Sequence, residues 1–177
     1  MAPVLILPGL GGSGPLHWQS RWQELHPSYQ RVQVPDWDNP KLEAWLSALD
    51  AAARSAEEPP VIIAHSLGCL AVAYWAARGG DARAALLVAV PDPAGPEFPA
   101  VARSFGPVPL ALIEFPTHVV ASRNDSYGSL EFAKRCASAW GSAFTDVGDA
   151  GHINADSGLG DWPIGQQLLA GLLGARP

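Results

Sequence analysis

The chain has 177 residues, 48% of them apolar, and a formal charge of -6 with 11 lysines and arginines in all. That length suits one domain with its own core, so residues 1–177 are expected to form a single domain. An acidic chain without a basic face is a poor match for nucleic acid and points to small-molecule partners.

Two cysteines, Cys69 and Cys136, fall on different predicted helices and give neither a disulfide framework nor a metal-ligand spacing. The N-terminus lacks a basic region and carries only four apolar residues, Val4 to Leu7, before Pro8, which is not the pattern of a signal peptide. No run approaches the roughly 20 apolar residues of a membrane span. A cytoplasmic protein is expected.

Val4 to Leu7 reads as a first strand, and the glycine-rich stretch Gly9-Leu10-Gly11-Gly12-Ser13-Gly14 as the loop after it. Pro15 suits a first helical position, with the helix running through Trp18, Trp22 and Leu25 toward Pro27. Arg31 to Val34 is a brief strand, and Lys41 to Ala56 a helix with Leu42, Trp45, Leu46 and Leu49 on one face. The run from Val61 to His65 reads as a buried strand and Leu67 to Ala77 as the helix behind it, so Ser66 sits on the turn between them. Ala85 to Val90 forms another strand. From Pro91 to Pro116 seven prolines interrupt the chain, and only Val101 to Phe105 suits a helical turn. Residues 91–116 are therefore the candidate lid. Thr117 to Ala121 and Ala143 to Val147 are the last strands, with helices over Leu130 to Trp140 and Ile164 to Leu173.

Strands alternating with helices imply an α/β fold, a doubly wound, mainly parallel six-stranded sheet with helices on both faces. Ligands in such sheets bind beyond the carboxyl ends of the strands, so the informative residues are the polar ones that follow the strands.

Ala64-His65-Ser66-Leu67-Gly68 has the small residues that a nucleophile elbow needs two positions either side of its serine. Asp125 follows the fifth strand in Arg123-Asn124-Asp125, and His152 follows the sixth in Gly151-His152-Ile153-Asn154. An alcohol becomes a good nucleophile when an imidazole takes its proton, and a carboxylate holds that imidazole in the right tautomer. Ser66, His152 and Asp125 are therefore the candidate nucleophile, base and acid. Asp92, Asp146, Asp149 and Asp156 are the rival acids. Of the other histidines, His65 should point away from the serine by strand alternation.

The backbone N–H of Leu67 and one from the loop after the first strand are the expected donors to a developing oxyanion, Leu10 first and Gly11 second. Trp37, Phe98, Phe105 and Trp162 are the candidate apolar lining of a substrate pocket. Two alternatives share this sequence. Gly9, Gly11 and Gly14 fit a dinucleotide-binding fingerprint with Asp36 as its acid, and a hydrolase-like fold can also serve as a protein-binding module.

Leu7-Pro8-Gly9-Leu10-Gly11-Gly12-Ser13, His17-Trp18-Gln19 with Trp22, the serine turn, Arg123-Asn124-Asp125 and Gly151-His152-Ile153-Asn154 together span nearly the whole chain. This set resembles the small serine-hydrolase branch of the α/β-hydrolases, the branch of YdeN-like bacterial proteins and the animal retinoblastoma-binding-protein type. The resemblance implies a minimal α/β-hydrolase domain without a large cap, esterase-like hydrolysis by Ser66, Asp125 and His152, and no cofactor. One departure is Pro8, which stands where many hydrolases place a histidine before the first glycine of the oxyanion loop.

Overall fold

The computed structural model describes residues 2–174. Its strands are β1 (Val4–Leu7), β2 (Gln30–Arg31), β3 (Val61–His65), β4 (Ala84–Val88), β5 (Thr117–Ala121) and β6 (Ala143–Asp146), all paired in parallel in the order β2-β1-β3-β4-β5-β6. The helices are α1 (Trp18–Leu25), α2 (Leu42–Arg54), α3 (Leu67–Ala77), α4 (Leu130–Trp140) and α5 (Pro163–Gly174).

Alternation along each strand divides the core in two. Leu5, Leu7, Ile62, Ala64, Ala85, Leu87 and Val119 pack with α2, α3 and α4, whereas Ile6, Val61, Ile63, Leu86, Val88 and Val120 face Trp18, Trp22 and Leu169 on α1 and α5. Strands covered on both sides have no polar face, which is why they read as unbroken apolar runs. Each of these leucine, isoleucine and valine side chains contributes roughly 1.5–3 kcal/mol by leaving water.

Several boundaries differ from the expectations. The helix expected from Pro15 starts at Trp18, because the His17 ring accepts a hydrogen bond from Gln19 N–H and caps it there. The second strand is only Gln30–Arg31; as an edge strand with one neighbour it leaves the ladder early, its last contact being Val32 N–H to the Ile6 carbonyl. β4 stops at Val88 because Ala89 turns to a φ of 57°.

The proline-rich segment after β4 is anchored along its length. Ala102, Phe105, Ile113 and Phe115 are buried, Trp140 donates to the Pro109 carbonyl at 2.7 Å, Tyr74 hydroxyl donates to that of Pro107, and Ser104 Oγ accepts from Leu42 N–H at 3.2 Å. No helix among the described residues is long and apolar enough to cross a membrane.

From β1 the chain goes out to β2 and returns to β3 on the other side of β1. The order therefore reverses between β1 and β3, and a crevice is expected beyond their carboxyl ends.

Candidate active site

The loop after β1 and the turn after β3 border that crevice, and close contact defines both. Ser66 has φ 55° and ψ -121°, a conformation that costs about 1–3 kcal/mol for a residue with a side chain. The surroundings impose it. A Cβ on Gly68 would lie 2.3 Å from the Leu7 carbonyl oxygen, and one on Gly9 would lie 2.8 Å from Ser66 Cβ. Only glycine lets β1 and α3 approach this closely around the serine.

His152 reaches the serine from the loop after β6. Its Nε2 lies 2.9 Å from Ser66 Oγ, and its Nδ1 lies 2.9 and 2.8 Å from the two Asp125 oxygens. A carboxylate only accepts, so Nδ1 carries the proton and Nε2 is free to accept from the serine hydroxyl. Asp125 also accepts from Tyr127 N–H at 2.9 Å, and its side chain is 2% exposed against 12% for His152. The Tyr127 ring covers the imidazole at 4.6 Å. Polar bonds fasten the histidine loop to the end of β5: Asn124 Oδ1 accepts from Gly151 N–H at 2.7 Å, and Ser122 Oγ accepts from Ala150 N–H at 2.9 Å. The rival acids lie elsewhere, Asp146 pairing with Arg123 at 2.8 Å and Asp92 accepting from Ala94 N–H.

Two more histidines complete the floor. His65 does lie on the α1 face of β3, yet its Nε2–H donates to the His152 carbonyl at 2.9 Å, a contact that strand alternation alone does not reveal. Its ring meets His17 edge-on at 4.6 Å and His152 at 4.9 Å. Burial first, then the neighbouring His17 and His152, hold His65 well below the usual imidazole range. Burial and the Arg31 guanidinium bring His17 down to about 4. Both rings are therefore neutral around pH 7. His17 Nδ1 accepts from Gln19 N–H, so its proton sits on Nε2, which is buried and has no partner among the described residues.

A cavity of about 280 Å³ opens over these groups, lined by the loop from Gly9 to Gly14, the serine turn, Pro91, Phe98, Pro99, Tyr127 and His152. Of the four aromatic residues expected to line it, Phe98 does. Phe105 instead points inward from the proline-rich segment into the core, wholly buried and edge-on to Trp45 at 5.2 Å. Trp162 packs against Trp18 at 4.7 Å on the α1 face of the sheet, drawn into the aromatic cluster of α1 and α5. Trp37 lies behind the glycine loop. Its ring sits where a Gly12 Cβ would be, and its carbonyl accepts from Gly11 N–H at 3.0 Å.

That last bond separates the two oxyanion candidates. Gly11 N–H is occupied, whereas Leu10 N–H and Leu67 N–H have no partner among the described residues and both residues border the cavity. Arg31 was not singled out by sequence reasoning. It donates to the Gly12 carbonyl, to that of Ser13 at 3.1 Å and to Ser20 Oγ at 2.8 Å, and so braces a loop in which Gly11, Gly12 and Ser13 all have positive φ. Nothing in the sequence marks Arg31, because its acceptors are backbone carbonyls and neutral side chains that only the fold brings within reach. Asp36 accepts from Asp38 and Asn39 N–H within its own turn, and Gly9 is explained by its contact with Ser66; these contacts account for two elements of the apparent dinucleotide fingerprint. Among the described residues no cluster of histidine, cysteine and acidic side chains could hold a metal ion.

Residues 4–171 match the serine hydrolase family model. A structure described as a YdeN-like hydrolase from Pectobacterium atrosepticum superposes with a TM-score of 0.88 at 31% identity, covering 98% of this chain and 91% of that one. The ydeN gene product of B. subtilis gives 0.82 at 24% identity, with 99% and 100% covered, and a thermophilic esterase from Thermogutta terrifontis gives 0.70 at 15%, with 97% and 89% covered; these two likenesses are of fold. No curated protein matches the chain in sequence. The match over nearly its whole length places this chain in the serine hydrolase family of α/β-hydrolase fold.

Proposed function

We propose that the protein hydrolyses small, uncharged acyl esters through an acyl-serine intermediate. The observation that carries this reading is the continuous chain Asp125–His152–Ser66, with imidazole to hydroxyl at 2.9 Å. Ser66 Oγ attacks the acyl carbonyl while His152 Nε2 takes its proton, and the Asp125 carboxylate offsets the imidazolium that forms. The tetrahedral oxygen accepts from Leu67 and Leu10 N–H, donors already in place before charge develops. His152 then protonates the leaving alcohol, and water activated by the same imidazole releases the acid.

The cavity argues for the substrate class. At about 280 Å³ it is near the small end for ligand sites, and no carboxylate, lysine or arginine side chain lines it. A carboxylate or phosphate on the acyl group would be desolvated there without a countercharge, since both neighbouring histidines are neutral.

The test is labelling with a fluorophosphonate, followed by a panel of p-nitrophenyl esters. Labelling at Ser66, its loss in Ser66→Ala and preference for short neutral acyl groups are expected. Folded protein that neither labels nor turns over any ester would refute the reading, and a tight protein partner indifferent to Ser66→Ala would favour a binding module.

A further inference from the structure

The residue after the base holds an unusual conformation. Ile153 has φ 47°, the left-handed region, which a β-branched side chain occupies only when held there. It is wholly buried in the α1 and α5 core. Two side chains from outside the loop grip the flanking carbonyls. His65 Nε2–H donates to the His152 carbonyl at 2.9 Å, and Trp18 Nε1–H donates to the Ile153 carbonyl at 2.8 Å. Both donors are buried, Trp18 at 1% and His65 at 5% exposed.

We infer that Trp18 and His65 form a backbone clamp that positions the base, an inference that rests on the hydrolase reading above. A peptide unit is planar, so holding its carbonyl fixes its N–H as well. With the peptides on both sides of Ile153 held, its φ and ψ are restrained, and so is the His152 Cα, which lies in the first of those planes. The imidazole is then delivered to Ser66 with its backbone already aimed. The loop's own bonds hold the opposite edges of the same two peptides: Ile153 N–H reaches the Ala150 carbonyl at 3.1 Å, and Asn154 N–H reaches Ser157 Oγ at 3.0 Å, whose O–H donates to the Ala150 carbonyl. The side chains from α1 and β3 supply the second hold on each plane and tie it to the sheet that carries the serine. Loss of His65 or Trp18 as a donor leaves its peptide held at one edge only and lets Ile153 relax toward negative φ. The serine's own strand, through its last residue, thus aligns its partner.

Trp22 supplies the control. It belongs to the same aromatic cluster and donates its Nε1–H to the Asp161 carbonyl at 2.8 Å, the same bond at a distance from the base. Trp18→Phe and Trp22→Phe each remove one donor and shrink a buried indole to a phenyl ring, so their thermal stabilities should fall alike. Trp18→Phe alone should lower kcat on p-nitrophenyl acetate ten- to a hundredfold, with KM within about twofold of the parent. It should also weaken or shift the low-field proton NMR signal of His152 Nδ1–H bound to Asp125. His65→Gln, which keeps a donor of similar reach, should retain kcat and that signal better than His65→Leu. Equal kcat for both tryptophan variants, or an unchanged low-field proton in Trp18→Phe and His65→Leu, would overturn the clamp. If the parent protein turns over no ester, the hydrolase reading fails, while the NMR comparison still decides whether these side chains hold the base.

Discussion

At the end of β3 the chain is held by contact; after β6 it is held by hydrogen bonds. Ser66 keeps its strained backbone because Gly9 and Gly68 let β1 and α3 close on it, with no room for a methyl group at either glycine. His152 stands on a looser loop whose shape depends on bonds to Ser122, Asn124, His65 and Trp18, from three separate elements. The difference teaches what each limb tolerates. A contact-defined position rejects added volume, whereas a bond-defined one accepts changes of shape but not the loss of a donor or acceptor.

The largest effects come where the limbs meet. Ser66→Ala should lower kcat about a millionfold and Asp125→Asn about ten-thousandfold, measured on a fluorogenic ester. Comparable residual activity in Ser66→Ala would place the nucleophile elsewhere. Next come substitutions that strain one limb at a time. Gly68→Ala puts its new Cβ 2.3 Å from the Leu7 oxygen, so β1 and α3 must part; a loss of about 1–3 kcal/mol in urea unfolding is expected along with activity. Asn124→Ala on the other limb should lower kcat roughly tenfold or more at nearly unchanged melting temperature, because Asn124 is exposed and its bond to Gly151 serves the loop's aim. Equal stability losses in both variants would erase the contrast.

A third test uses pH. His17 has its folded pKa lowered from 6.5 to about 4, so the unfolded chain binds the proton first on acidification and stability falls as pH drops through that window. The loss for His17 is about 3 kcal/mol at one pKa unit per roughly 1.4 kcal/mol, and His65, lowered in the same direction, adds to it. Urea melts at pH 7 and pH 4.5 should show this, and His17→Asn should flatten the slope. The smallest effect belongs to the cavity wall: Phe98→Ala should raise KM for longer acyl chains severalfold and leave kcat on acetate nearly unchanged, because Phe98 lines the cavity without touching His152 or Ser66 through a hydrogen bond.

The sheet was legible because strands buried on both faces are apolar runs: β1 and β4 are so throughout, β3 from Val61 to Ala64 and β5 from Val119 to Ala121. Position after a strand marked Ser66, Asp125 and His152, since in this architecture polar residues there share one rim. Position could not sort the aromatic residues. Trp37, Phe105 and Trp162 also follow strands, but a large ring goes to whichever side offers the most burial. Here that is behind the glycine loop for Trp37, against Trp45 for Phe105 and among the tryptophans of α1 for Trp162.

What the sequence determined by itself was local and repetitive: the alternation of elements, the small residues around Ser66 and the order serine, acid, histidine. What only the tertiary structure decided was which distant groups complete each other. Arg31 bracing the glycine loop, the Trp37 carbonyl accepting from Gly11 N–H, and His65 with Trp18 gripping the carbonyls of residues 152 and 153 are all pairings between residues apart in the chain. Hydrogen bonds of this kind leave no period in a sequence, because a bond to a backbone group constrains where that group lies in space and not which residue carries it.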